Sequence, residues 1–417
     1  QLHQDRRGKY AIAKKLELIA GRVIGHRDGY GFVITDKPGP DVFLPAGEMR
    51  SLFSGDRVLI KVTKTKGNKR LEGKLIDIVE RNTQQLVGVF HKNGALAYVS
   101  PDSKHISLDV IIPNDKINDA KEGQFVEVHI LSQPTLRNPP AGEVVRVIGD
   151  QLAPGLEIDL AIANYNIPYA WPEAVLDETL KLKAEDTHVE TNGRKDLTDL
   201  YFVTIDGEDA KDFDDAVYCK KRDGGGWILY VAIADVSHYV RPGDACDQEA
   251  EKRGNSVYFP GRVIPMLPEI LSNELCSLKP KVDRLTMVCE MQVSNEGKLE
   301  GSSVYSALIN SKQRLTYSHV AKMLNDGVEE TYSTHIKNLH DLYKVLLEQR
   351  SNRGALDFDT TETRIIFNKS NKIDSIVPVY RNVAHKIIEE CMLLANVAVS
   401  HVCEKSKLTT LYRIHEP

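Results

Sequence analysis

The sequence predicts a multi-domain protein in which two tandem all-β barrels of the OB type precede a larger α+β domain. Three observations carry this. Short strands of alternating hydrophobicity, parted by turn-forming residues, fill residues 18–82. The pattern recurs over 83–150. Beyond about residue 197, hairpins alternate with stretches of helical period. A chain of 417 residues has room for roughly two to four cores of ordinary size.

Residues 1–17 are polar and basic and read as an arm. In the first barrel the expected strands are 18–26, 31–35, 41–44, 57–63 and 70–79, with turns at Asp28-Gly29, Pro38-Gly39-Pro40 and Ser54-Gly55-Asp56. Five strands in about 65 residues match an OB barrel. In the second barrel, Gln85–Phe90 follows the style of Leu18–Val23, Leu96–Ser100 follows an Asn93-Gly94 turn, and Gly123–Leu131 corresponds to Gly55–Thr63. Residues 151–197 form a connector rich in Pro and acidic residues.

In the α+β domain, Leu200–Ile205 is a strand, and Ala216–Lys220 pairs with Trp227–Ala234 across Gly224-Gly225-Gly226. Residues 244–253 form a helix with Asp244 as N-cap and Gly254 beyond its end. A hairpin over 285–310, helices near 316–325 and 335–351, a hairpin over 363–379 and a helix at 382–405 complete it. Ile388, Cys391, Met392, Ala395 and Val399 recur at helical spacing and are expected to face a core.

With 41% hydrophobic and 27% charged residues, and no apolar run near the ~20 residues that cross a bilayer, the composition excludes a helical membrane protein. The N-terminus lacks the apolar segment of a secretory signal, so a cytoplasmic location is expected. Six cysteines, at 219, 246, 276, 289, 391 and 403, form no CxxC pair; reduced, buried thiols are expected rather than zinc or disulfides. Residues 1–80 hold 16 Lys and Arg against 10 Asp and Glu, whereas the remainder holds 38 against 49. A basic N-terminal part on an acidic remainder suits a polyanion-binding module attached to something else.

The stretch Thr204–Val217 places six acids, Asp206, Glu208, Asp209, Asp212, Asp214 and Asp215, between two apolar strands. Carboxylates that close raise one another's pKa and destabilise a fold unless a cation neutralises them. Oxygen donors without Cys or His select Mg²⁺ or Mn²⁺ over zinc. Asp214 and Asp215 point to opposite sides of an extended strand, so both reach one site only if the segment coils, which Gly207 permits. A solvated acidic turn is the competing reading. An EF-hand loop lacks its Glu near the twelfth position and its flanking helices. Paired hard cations beside aspartates suit phosphodiester hydrolysis.

The strings TIDGEDAKDFDDAV (204–217), ILYVAIADVSHYV (228–240), NSVYFPGRVIPMLPEILSNELCSL (255–278) and HKIIEECMLLAN (385–396) resemble the catalytic RNB domain of the ribonuclease II and ribonuclease R family. The resemblance covers nearly the whole chain. It implies cold-shock-type barrels at 18–82 and 83–150 and the first part of an RNB domain at 151–417. It further implies a monomeric 3′–5′ exoribonuclease with no membrane partner. Such an enzyme hydrolyses single-stranded RNA processively from its 3′ end to nucleoside 5′-monophosphates, with Mg²⁺ as cofactor and Mn²⁺ as a substitute.

By the same resemblance, Asp206, Asp212, Asp214 and Asp215 are the catalytic and metal-binding carboxylates, while Glu208 and Asp209 are not carried over. Tyr258 stacks on a base near the 3′ end, Phe358 forms the other half of that clamp, and Glu389 meets a ribose hydroxyl. Stacking reads any base, and sugar-hydroxyl contacts separate RNA from DNA. Set apart from the family, Tyr258 and Phe358 read equally as core aromatics. In the first barrel, Arg27–Val33 and Asp41–Leu44 resemble cold-shock motifs, with Tyr30, Phe32 and Phe43 stacking on bases and Arg22, His26 and Arg27 near phosphates. The second barrel offers Phe90 and Tyr98, with His91 and Lys92 as its local charges.

Family members continue past the counterpart of Pro417, with the rest of the RNB domain, an arginine motif at the scissile phosphate, an S1 barrel and a basic tail. Some begin with a helix-turn-helix module whose last wing residues 1–15 resemble. The expectation is therefore a fragment incomplete at both ends. Lacking that arginine, it should turn over poorly, since one such donor contributes about 2.7–4 kcal/mol. The alternative reading is a non-catalytic RNA-binding protein that uses the tandem barrels; an endonuclease is the third, separated by product length.

Overall fold

The structure, a computed structural model, describes residues 2–4, 10–12, 17–66, 70–151, 153, 155–182, 193–327, 330–356, 361–370 and 372–414. The chain divides into two compact units, 1–169 with 369–372 and 170–368 with 373–417.

The first unit opens with an antiparallel hairpin of β1 (Leu2–Gln4) and β2 (Tyr10–Ile12). A barrel follows, made of β3 (Leu18–Gly25), β4 (Gly31–Thr35), β5 (Val42–Leu44), β6 (Arg57–Lys66) and β7 (Arg70–Glu80), with the one-turn helix α1 (Ala46–Met49) before β6. It closes in the order β3-β4-β5-β7-β6. Alternation fills it: Val23, Val33, Val42, Leu44, Val58 and Ile60 point inward, while Phe32 and Ile34 stay exposed.

The second barrel has β8 (Gln85–Asn93), β9 (Leu96–Pro101), β10 (Val110–Ile112), β11 (Gln124–Ser132) and β12 (Ala141–Asp150), in the order β10-β12-β11-β8-β9. The repeat seen in sequence has a steric cause. A Cβ on Gly21 would stand 2.2 Å from the Ile34 carbonyl oxygen, and one on Gly88 would stand 2.3 Å from that of Ser100, so both first strands need glycine where the next strand crosses. The connector contains α2 (Leu156–Asn164), which packs on β8 and β12 through buried Leu156 and Ile162. Short length and flanking prolines hide it from periodicity.

The second unit is built on a seven-stranded sheet. Its elements are α3 (Glu173–Lys181), β13 (Lys195–Asp196), β14 (Val203–Asp206), β15 (Asp215–Lys221), β16 (Trp227–Ala234), α4 (Val236–Tyr239) and α5 (Ala245–Arg253). Next come β17 (Val257–Phe259), β18 (Arg262–Ile264), a π-helical turn at Ile270–Leu275, β19 (Asp283–Val293), β20 (Leu299–Asn310) and β21 (Gln313–Thr316). The chain closes with α6 (Tyr317–Asp326), α7 (Ser333–Asn352), β22 (Glu362–Phe367), β23 (Ile373–Val379) and α8 (Val383–Lys405). The sheet order is β13-β20-β19-β16-β15-β14-β21.

Both faces of this sheet are buried, which is why β15 and β16 read as continuous apolar runs. Val217 and Cys219 join Ile336, Leu339, Leu342 and Ile387 of the helical layer on one face, while Ala216 and Tyr218 pack with Phe202, Phe213, Leu271 and Leu278 on the other. Asp244 caps α5 by accepting from Asp247 N–H, and Gly254 ends it at φ 73°. On α8 the inward stripe is Ala384, Ile387, Ile388, Cys391, Ala395 and Ala398; Met392 is partly buried against it. Val399, expected inward, is exposed because it lies one residue past that stripe. The six cysteines are unbridged, all but Cys403 buried. Among the described residues no helix is long and apolar enough to cross a membrane.

Candidate functional site

Strands β14 and β15 are antiparallel neighbours, so Asp206 at the end of one and Asp215 at the start of the next come together, joined by the loop 207–214. Its first limb turns, Ala210 N–H donating to the Gly207 carbonyl at 3.3 Å, whereas its end is extended, the Asp214 carbonyl receiving the Ala234 N–H at 2.9 Å in continuation of the β15–β16 ladder. Phe213 is buried in the core, and side chains flanking a buried residue in extended chain point away from it. Asp214 is accordingly exposed and Asp212 half-buried, and the carboxylates of the run act on one another electrostatically.

Their charges act on one another. Burial raises the Asp215 carboxyl to about 6, with Asp206 and Asp214 adding to the effect. Asp206 is raised by burial and by Asp212, against the Gly207 N–H that its Oδ1 accepts at 2.7 Å and the Arg314 and His385 side chains nearby. Asp214 is raised by desolvation, then by Asp212 and Asp206. Repulsion of this kind is what a divalent cation relieves, and four carboxylates without a sulfur or imidazole donor suit a hard cation. As the side chains stand, no three Asp, Glu, His or Cys among the described residues converge on a shared ligating point. The aspartates are near enough to perturb one another without meeting.

Residues far away in sequence complete the surroundings. Arg314, which pairs with Thr204 in the parallel β14–β21 register, donates from Nη2 to the carbonyls of Gly207 at 2.8 Å and Glu208 at 2.7 Å. The Tyr317 hydroxyl is pushed up to about 12 by burial, Asp206 and Asp215. Its ring stacks on His385 at 3.9 Å, and burial and Arg381 hold that imidazole below its ordinary value. Buried Ser277 binds the far limb of the loop. Arg314 and Tyr317 lie outside the RNB-like strings, and although Ser277 and His385 lie within them, the strings give them no role; the folding of β21, α8 and the segment before β19 around β14 and β15 brings the four to the aspartates. Glu208 is lowered by a hydrogen bond to Ser318, and Asp209 pairs with Arg364 at 3.4 Å.

Tyr258 is 70% exposed on the β17–β18 hairpin, opposite Val263, so it is a presented ring and not a core aromatic. Phe358 lies outside the described residues. Glu389 stands on α8 with one carboxylate oxygen 2.9 Å from Arg350 and the other paired with Arg381.

On the first barrel His26, Tyr30, Phe32 and Phe43 form a single outward cluster. Tyr30 stacks on His26 at 4.4 Å and stands 5.9 Å from Phe32 and 5.7 Å from Phe43, while Phe32 and Phe43 oppose each other across β4 and β5 at 5.7 Å. Arg27 is exposed beside this cluster, 3.9 Å from Asp28, and Arg22 donates to the Gly55 carbonyl. On the second barrel Phe90 is fully buried in the core, which corrects its expected contact role; it shares inward parity with Leu86 and Gly88. Tyr98 remains partly exposed, its ring 5.0 Å from His91, which pairs with Glu122.

Comparison with known proteins follows this architecture. The RNB domain model matches residues 194–417, the cold shock domain model residues 98–172 and the ribonuclease B OB domain model residues 21–78. Ribonuclease R of Vibrio parahaemolyticus serotype O3:K6 is 49% identical over 424 residues, covering 100% of this chain and 51% of the relative. Ribonuclease R of Escherichia coli K12 is 46% identical over 421 residues, covering 100% and 52%. The chain therefore spans about half the length of these relatives. The structure of Mycoplasma genitalium RNase R in complex with ribose methylated single-stranded RNA superimposes with a TM-score of 0.86 at 30% identity, covering 95% of this chain and 64% of that one.

Proposed function

This chain belongs to the RNB family of exoribonucleases, and from that membership we propose that it carries the barrels and metal-binding carboxylates of a 3′–5′ exoribonuclease. The enzyme hydrolyses single-stranded RNA processively to nucleoside 5′-monophosphates in RNA turnover and quality control. The observation that carries the reading is the placement of Asp206 and Asp215 at the paired ends of two buried strands with Asp212 and Asp214 on the loop between them, where burial and neighbouring carboxylates raise Asp206, Asp214 and Asp215. Residues 18–82 and 83–150 are its cold-shock domains and 151–417 the first part of its RNB domain, with 1–17 a basic arm. It acts as a monomer in the cytoplasm.

Asp206, Asp212, Asp214 and Asp215 would hold Mg²⁺, or Mn²⁺ in its place. When bound, the cation supplies charge neutralisation and an activated water for in-line attack on the phosphodiester. Tyr258 offers its exposed face to a base near the 3′ end, a contact that reads every base alike. The rings of Tyr30, Phe32 and Phe43, with Arg27 beside them, take up RNA on the first barrel. Glu389 meets a ribose hydroxyl while its charge is balanced by Arg350 and Arg381.

A labelled single strand incubated with Mg²⁺, and with EDTA as control, tests the reading. Mononucleotides appearing one at a time from the 3′ end support it. RNA retained intact under both conditions favours the second reading, a non-catalytic RNA binder, for which the lack of three converging ligands among the described residues speaks.

A further inference from the structure

Asp206 and Asp215 stand on paired strands, whereas Asp212 and Asp214 stand on the loop between them, so the relation of the four is set by whatever fixes that loop. Two side chains do so. On the first limb a single nitrogen of Arg314, Nη2, donates to two successive carbonyls, Gly207 at 2.8 Å and Glu208 at 2.7 Å, while its guanidinium lies over the Phe213 ring at 5.6 Å. On the second limb the Ser277 hydroxyl accepts from Phe213 N–H at 3.1 Å and donates to the Lys211 carbonyl at 3.0 Å, bracketing Asp212. Leu278 N–H binds the Phe213 carbonyl at 2.8 Å, and Arg284 Nε holds the Ser277 carbonyl at 2.9 Å.

We propose that Arg314 and Ser277 are positioning residues that clamp the two limbs of the aspartate loop and thereby set where Asp212 and Asp214 stand relative to Asp206 and Asp215. Neither touches a reacting atom. The consequence for catalysis rests on the hydrolase reading; the clamp itself does not. Arg314 is a costly choice for a strand beside the core. Its Nε is buried without a hydrogen-bond partner, and β-branched residues would fill such a strand position without that desolvation. Ser277 is fully buried and spends both its donor and an acceptor on this one loop. Aspartates on an irregular segment must be immobilised by second contacts, because small displacements of ligating groups are expensive in rate and affinity.

The test uses the whole chain with Arg314→Met and Ser277→Ala. Hydrogen exchange measured by mass spectrometry should show amides of 207–214 exchanging about 10-fold faster in either variant, with β16 and β19 unchanged. On labelled RNA with Mg²⁺, kcat should fall about 10- to 100-fold at nearly constant KM, and Mn²⁺ affinity read by electron paramagnetic resonance should weaken in parallel. A cavity of about 710 Å³ lined by Lys211, Phe213 and Arg314 adjoins the guanidinium, so added guanidinium should restore part of the kcat of Arg314→Ala. If Arg314→Met does not fold, Arg314→Lys is read on the same scale. Unchanged loop exchange, or wild-type kcat in both variants of an active enzyme, overturns the clamp. A wild-type chain that leaves RNA intact while the variants loosen the loop sinks the hydrolase reading and leaves the clamp standing.

Discussion

Nη1 of Arg350 lies 2.9 Å from the Glu389 carboxylate, and the same nitrogen lies 2.8 Å from the neighbouring Glu390, tying α7 to α8. Glu390 is only 5% exposed, so its charge depends on this arginine. Arg350→Ala should cost about 3–5 kcal/mol in denaturant unfolding, the penalty for leaving a buried carboxylate unpaired. Glu389→Gln, which keeps the shape and stays partly solvated, should cost less than about 1 kcal/mol. It should instead narrow the preference for RNA over DNA, and an unchanged preference would remove Glu389 from the sugar contact.

Asp214→Asn should abolish most cleavage, by about 100-fold or more, while RNA affinity in a filter or anisotropy assay stays within twofold. The Asp214 residue is exposed in the loop, so folding should survive. Loss of RNA binding along with cleavage would make this carboxylate structural.

Folding raises the Asp215 carboxyl from 3.8 to about 6, so the folded chain binds that proton more tightly than the unfolded one. Stability therefore declines as pH climbs from about 4 to 6, and the full penalty, about 1–3 kcal/mol, holds above that window. Asp206 and Asp214 shift the same way and add to it. Metal-free Asp215→Asn should melt above the wild type at about pH 7.5 and level with it near pH 4. Mg²⁺ should raise the wild-type melting temperature more at about pH 7.5 than at pH 5. Melting curves that respond identically at both pH values would contradict a cation at these carboxylates.

Tyr258→Ala removes a ring that is 70% exposed, so the melting temperature should not move. Affinity for a short single strand should fall by about 1–3 kcal/mol, the value of one base–aromatic stack. Tyr258→Phe should retain nearly all of it. A variant that lost stability but not affinity would return Tyr258 to a packing role.

On the first barrel, Phe43→Ala should weaken single-strand binding by a similar amount, whereas Arg27→Ala should weaken it uniformly across sequences. It should also lower the slope of log affinity against log salt by about 0.7, the single-strand value for one phosphate contact. A salt slope identical to the wild type would take Arg27 away from the phosphates. Phe90→Ala is the contrast: its ring is fully buried, so a loss of about 3–5 kcal/mol in stability should outweigh any specific effect on RNA.

Strand alternation, turn residues and the crossing glycines Gly21 and Gly88 suffice to specify two barrels, because those are short-range properties of the backbone written every few residues. The acid-rich run between two apolar strands likewise marks where Asp206 and Asp215 stand, at paired strand ends with the other acids on the loop between them. Three-residue strands such as β10 and β17 are too short for a period, so the exposure of Tyr258 was not legible. Phe90 shares parity with buried Leu86 and Gly88 on β8, and barrel closure makes that face the inner one, so its ring packs in the core and not against RNA. Arg314, Tyr317 and His385 reach the aspartates through a sheet that lays β21 parallel to β14 and helices that fold back across it, and Ser277 through the segment between the π-helical turn and β19. Which carboxylates lie at the junction is a matter of composition along the chain; what immobilises them is a matter of convergence in space, and convergence is decided by packing between segments separated by tens of residues or more.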